Sequence, residues 1–122
     1  MADKRHLNRI DIVQELFSFT FNPGTSLSEK SQEISKHYTY LDSLIQTGAP
    51  KYTINQIAKV DLSILHLALF ELLIEKKEPP KVIINEAIEL AKELGGEKSP
   101  GFINAVLGKI YRESLEDNKS TS

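Results

Sequence analysis

The chain has 122 residues, a formal net charge of −2, a hydrophobic fraction of 40% and a charged fraction of 26%, with no cysteine. That length holds one core but not a core plus a second catalytic domain, and the composition is that of a globular protein rather than a disordered chain. The slight negative charge excludes a grip on nucleic acid by bulk electrostatics, so any RNA binding must be local or shared with a partner.

Hydrophobic residues recur at helical spacing along the chain and nowhere alternate as in a strand, so the predicted fold class is all-α. The first helix is predicted to start after Asp3 as N-cap and to run to about Thr20. Leu7, Ile10, Val13, Phe17 and Phe21 form its apolar stripe, and Asn22-Pro23-Gly24 ends it. A second helix is expected over roughly Ser28 to Thr47, with Ile34, Tyr38, Leu41 and Ile45 on one stripe and Gly48-Ala49-Pro50 at its close.

Thr53-Ile54-Asn55-Gln56 fits a capping box that opens the next helical segment. A break is expected near Lys59, after which Asp61 caps a new helix from Leu62 to Ile74. That run is apolar on nearly every side, which marks a helix surrounded by others and makes it the expected central element. Pro79-Pro80 ends it and presets a helix to Leu94, closed by Gly95-Gly96. Ser99-Pro100 repeats the device, with Ser99 as cap, for a last helix carrying Phe102, Ile103, Val106, Leu107, Ile110 and Tyr111. From Glu116 to Ser122 the sequence is polar and predicted to be a frayed tail, so the whole of 1–122 reads as one domain.

Catalytic constellations are missing. The three histidines, His6, His37 and His66, stand far apart, and no cysteine completes a metal set, so neither a metal site nor a cofactor is expected. Gly95-Gly96-Glu97-Lys98-Ser99 has the wrong glycine spacing for a phosphate loop and follows no strand, and Ser99 has neither an elbow nor an adjacent base. The sequence therefore points away from an enzyme. No apolar run is long enough to cross a bilayer, and Met1-Ala2-Asp3-Lys4-Arg5-His6 opens without a signal-peptide core; together with the cysteine count this makes the cytoplasm the expected location.

Three consecutive segments, Val60 to Leu73, Pro79 to Lys92 and Ser99 to Leu107, resemble the C-terminal half of the NusB family of bacterial transcription antitermination factors. The likeness is strongest from about Tyr52 to Ile110, and Lys4-Arg5-His6-Leu7-Asn8-Arg9 is similar to that family's Arg-rich opening. The resemblance implies a bundle of two packed helical subdomains, here with a shortened N-terminal half in which one helix is trimmed or lost. It implies a factor that binds the boxA element of nascent RNA together with NusE, a small-subunit ribosomal protein, within the RNA polymerase antitermination complex on ribosomal RNA operons.

Carried over by motif, Lys4, Arg5 and Arg9 are expected to meet RNA phosphates, Arg5 and Arg9 lying one turn apart on a helix. Phe102 and Asn104 match the family's Phe-x-Asn segment. Phe102 is read either as a stacking platform for an unpaired base or as core, and Asn104 as a reader of a base edge, with Lys98 as a further phosphate contact. Asp61 and Glu71 fall on the helix that resembles the NusE-facing region, Asp61 being first of all the best candidate for that helix's cap. Asn85 and Glu86 match an Asn-Glu-Ala segment with a structural use, while His66 and Gln56 stand where the family commonly has Arg. The competing reading is a helical protein-binding module or homodimer without RNA function. A DNA-binding helix-turn-helix is disfavoured because no short turn leads into a basic recognition helix.

Overall fold

In the computed structural model residues 3–120 are described, with side chains to residue 117. All regular structure among them is helical: α1 (Lys4–Phe21), α2 (Glu29–Lys36), α3 (Tyr38–Gly48), a 3-10 turn (Ile54–Gln56), α4 (Lys59–Leu69), a π-helical turn (Phe70–Glu75), α5 (Pro80–Leu94) and α6 (Ser99–Ser120).

The predicted starts and stops match where the local chemistry is strong. Asp3 caps α1, its Oδ1 accepting the Arg5 N–H at 3.2 Å. Pro80 opens α5 at its first position, and the Gly95 N–H returns to the Ala91 carbonyl at 3.0 Å to close it. Thr53 and Gln56 form the expected box, the Thr53 N–H donating to Gln56 Oε1 at 2.9 Å, but the segment it opens is one 3-10 turn. The break follows at Ile57, and Ala58 rather than Asp61 is the residue that precedes α4. Asp61 lies within the first helical turn, where its negative charge faces the positive end of the helix dipole.

Four features depart from the sequence expectation. The α1 stripe is displaced. Ile12, Val13 and Leu16 are buried together with Arg9, whereas Leu7, Phe17 and Phe21 are exposed. Secondly, the segment predicted as one helix is two, because the chain turns at His37 (φ −104°, ψ 8°); the His37 Nδ1 lies 2.9 Å from the Glu33 carbonyl and occupies the end of α2. The region counted as having lost a helix therefore carries α2 and α3. Thirdly, Ser99 lies inside α6 and its hydroxyl accepts the Gly96 N–H at 2.9 Å, tying the α5–α6 connection down instead of capping the helix. Finally, α6 continues past Glu116 to Ser120, since its polar residues are compatible with a solvated helix; residues 121 and 122 of the expected tail lie outside the described residues.

As expected, α4 is the central element. It packs against α1, α3, α5 and α6, and every residue from Asp61 to Leu69 is buried. The helices α1 to α3 form one group laid on α4 to α6, and the buried apolar side chains of both, among them Leu16, Ile34, Leu41, Ile64, Leu65, Leu90, Ile103 and Leu107, form one cluster. The two groups meet closely where α3 ends on α6: a Cβ at Gly48 would stand 2.8 Å from the Ile110 side chain. Within the core His66 stacks on Tyr38 with ring centroids 4.2 Å apart and meets Asp42 Oδ1 through Nε2 at 2.7 Å. Burial, and secondarily the Asp42 charge, push the Tyr38 phenol up to about 12. No helix among the described residues is long and apolar enough to cross a membrane.

Candidate nucleic-acid interface

The charged residues at the start of α1 divide by helical phase. Lys4 and Arg5 are exposed, and Arg5 reaches Glu78 Oε1 at 3.3 Å. Arg9, one turn on, is buried against the π-helical turn. Its Nε donates to both Glu71 oxygens at 3.0 Å and its Nη2 to Oε1 at 2.7 Å, a fork matched to a carboxylate. Nη2 also bonds Glu78 Oε2, Nη1 stands 3.7 Å from Glu86, and Lys30 reaches Glu75 at 3.4 Å and Glu71 at 3.8 Å. These carboxylates, Glu71 foremost, hold the Arg9 guanidinium protonated beyond its ordinary range.

This corrects two assignments. Arg9 does not present its charge to RNA, and Glu71 does not present its charge to a partner protein; each neutralises the other inside the fold. An isolated buried charge of either kind would be strongly unfavourable, so each requires the other. The pairing joins residues 62 positions apart and was hidden from a reading along the chain.

A second locus opens where α4 begins and α5 gives way to α6. A recess of about 500 Å³ is lined by Tyr52, Gln56, Asp61, Lys98, Ser99 and Phe102, together with backbone around Gly96. Two features of the connection shape it. The Ser99 hydroxyl draws Gly96 inward, and Gly95 must lack a side chain, because a Cβ there would lie 2.5 Å from the Ser99 Oγ and 2.9 Å from the Ala91 carbonyl.

Phe102 is half-buried and packs on the core, while Tyr52, which is exposed, meets it edge-on with centroids 5.7 Å apart and planes at 86°. Lys98 is exposed at the rim and Asn104 is exposed on α6, though Asn104 is not among the residues lining the recess. Asp61 is buried at 8% exposure and its Oδ1 has no hydrogen-bond partner. A buried carboxylate oxygen without a donor costs free energy, and Asp61 carries that cost beside the recess. Lys98, Phe102 and Asp61 are thus brought together; Lys4 and Arg5 stand on another element. Tyr52 was missed as a site residue, its only signal being an aromatic placed directly before a capping box.

The family model of NusB, described as the NusB family, matches residues 24–112, well over half of the chain. The protein belongs to the NusB family. The transcription antitermination protein NusB of Chloroflexus aggregans is 45% identical over 87 residues, covering 70% of this chain and 58% of that protein. The match spans about three fifths of the length of the curated NusB proteins of Chloroflexus aggregans and two Roseiflexus strains. Among solved structures, NusB of T. maritima superposes with a TM-score of 0.79 at 31% identity, covering 93% of this chain and 94% of that one. A chain of the crystal structure of the antitermination factors NusB and NusE in complex with dsRNA superposes with a TM-score of 0.73 at 19% identity, over 91% of this chain and 99% of that chain, which is a likeness of fold. The NusB fold accounts for the all-α architecture and for the two packed helical groups described above.

Proposed function

We propose that the protein is an RNA-binding transcription antitermination factor that takes up boxA-type RNA jointly with NusE and serves the RNA polymerase antitermination complex on ribosomal RNA operons in the cytoplasm, without catalytic activity of its own. Family membership supports the class of function. The observation that carries RNA binding to this chain is the recess in which an aromatic pair, a lysine and an unpartnered buried carboxylate oxygen converge.

The chemistry suits an unpaired nucleotide. Phe102 with Tyr52 offers a surface for a base to stack on, and the Asp61 carboxylate, which lines the recess, is the acceptor for a base amino or imino group. Lys98 at the rim, and Lys4 and Arg5 at the start of α1, meet phosphates, while Asn104 extends the contact along α6. With a net charge of −2 the chain gathers little phosphate-binding energy alone, and a basic partner such as NusE supplies the remainder. Arg9 and Glu71 take no direct part. In this reading Asp61 serves RNA and not NusE.

A second reading, a homodimer or a protein-binding module, is favoured by the exposed Leu7, Phe17 and Phe21 on α1. The two are separated by measuring binding to boxA-containing and scrambled RNA at fixed salt, with and without NusE. Selective binding that tightens with NusE upholds the antitermination reading. A well-folded protein that binds neither RNA nor NusE refutes it.

A further inference from the structure

His6 sits between two carboxylates of α5: its Nδ1 lies 2.7 Å from Glu86 Oε2 and its Nε2 2.7 Å from Glu93 Oε1. Glu86 and Glu93 are two turns apart on the same face of α5, so the ring is clasped at both ends. The imidazole side chain is 12% exposed. A neutral imidazole has one N–H and can donate to one carboxylate only; its other nitrogen would then turn a lone pair towards an anionic oxygen at the same short distance. Both contacts are attractive only for the imidazolium. The charged groups that meet the ring are Glu86 and Glu93, and the cation sharing Glu86 is Arg9, at 3.7 Å. Arg5 turns instead to Glu78, and Lys92 of α5 is engaged with Glu89.

We propose that His6 is a proton-controlled latch that fixes the first turn of α1, the turn carrying Lys4 and Arg5, onto α5. While protonated, His6 bridges the two helices and leaves the triad with one net negative charge. Once deprotonated it releases one carboxylate, leaves the two carboxylates of α5 without its charge, and loosens the turn that places Lys4 and Arg5. His6 is a positioning residue in this scheme and needs no contact with a ligand. The hydrogen bond to Glu86 is the main cause that raises the His6 pKa above 6.5, with Glu93 adding to it and burial partly opposing, so release falls above the pH at which a free imidazole loses its proton.

The test follows the His6 imidazole by NMR titration in the full chain, assigned by its loss in His6→Gln, together with hydrogen-exchange protection factors at about pH 6 and about pH 8.5, either side of the imidazole range. The amides of residues 8–10, which bond back into the first turn of α1, report the latch, and those of α6 serve as the internal reference. The expected result is a titration midpoint above 6.5 and α1 protection that falls about tenfold for each unit by which the midpoint exceeds 6.5. His6→Gln should show the low protection at both pH values, and Glu93→Gln should lower the midpoint and shrink the fall. Protection that ignores pH while His6 titrates, or a His6→Gln protein as protected as the parent at pH 6, overturns the proposal. Binding of boxA RNA at the two pH values is a separate arm: absence of RNA binding beside an intact latch signature contradicts the RNA reading and leaves the latch standing.

Discussion

Two places where α4 and its extension gather charge make opposite use of it. At the π-helical turn Glu71 is buried and forked by Arg9, with Glu78 and Lys30 completing the network. At the other end of the same element Asp61 is also buried, yet its Oδ1 meets no donor, and the residue lines a recess with an aromatic pair and a lysine. Residue type is alike in the two places; satisfaction is not. A buried charge whose partners are all supplied by the fold holds the fold together, while one left short of a partner beside a cavity can repay its burial only to a ligand.

The largest effects should separate the two loci by stability. Arg9→Ala strands Glu71 and is expected to cost about 3–5 kcal/mol in denaturant unfolding, and replacing the pair together by Arg9→Met with Glu71→Leu should recover most of that loss. If Arg9→Ala unfolds at the parental denaturant concentration and instead loses RNA affinity, the assignments of the two loci are reversed. At the recess, Phe102→Leu keeps apolar packing but removes the ring, and should weaken RNA binding by about 1–3 kcal/mol while leaving the salt dependence unchanged. Lys98→Ala should do the converse, reducing the slope of log K against log salt by about 0.7 for a single-stranded RNA, as should Arg5→Ala. Equal slopes in parent and variants would remove both side chains from the phosphate contacts.

Asp61→Asn sharpens the contrast further. It removes the orphaned charge while keeping the shape, so stability should rise or hold by calorimetry, whereas preference among base substitutions in the RNA should change because an amide both donates and accepts. The smallest effect is that of pH. His6 has a raised pKa in the fold, so its contribution to stability is complete below 6.5 and fades as pH climbs through the folded value. The stability difference between the parent and His6→Gln should therefore be larger at about pH 6 than at about pH 8.5; a difference that grows with pH has the wrong sign for the clasp.

Much of the architecture was legible because the punctuation is chemical and local. Asp3, the Pro79-Pro80 pair and Gly95 mark helix ends through groups within a few residues of one another, and the all-round apolar run of α4 announces a central helix. The turn at His37 carries neither proline nor glycine, so two helices read as one. The phase of α1 was misjudged for a related reason: an arginine counts as polar in any pattern, and only Glu71, 62 residues away, makes it an inward-facing residue. The Lys98 to Asn104 segment was legible by its likeness to a family motif, which says nothing of whether a side chain is free. That Phe102 both packs and shows, and that Asp61 lacks a donor, are properties of α4, α6 and Tyr52 meeting in space.

The central claim is that the recess, not the buried pair, is what binds RNA, and it is tested most directly by the affinity of the Phe102→Leu, Lys98→Ala double variant for boxA RNA with NusE present, at one fixed salt and with its melting compared with that of the parent. The account predicts a folded protein that keeps its hold on NusE and loses selectivity for boxA over scrambled RNA. A folded double variant that discriminates the two RNAs as well as the parent does would contradict it.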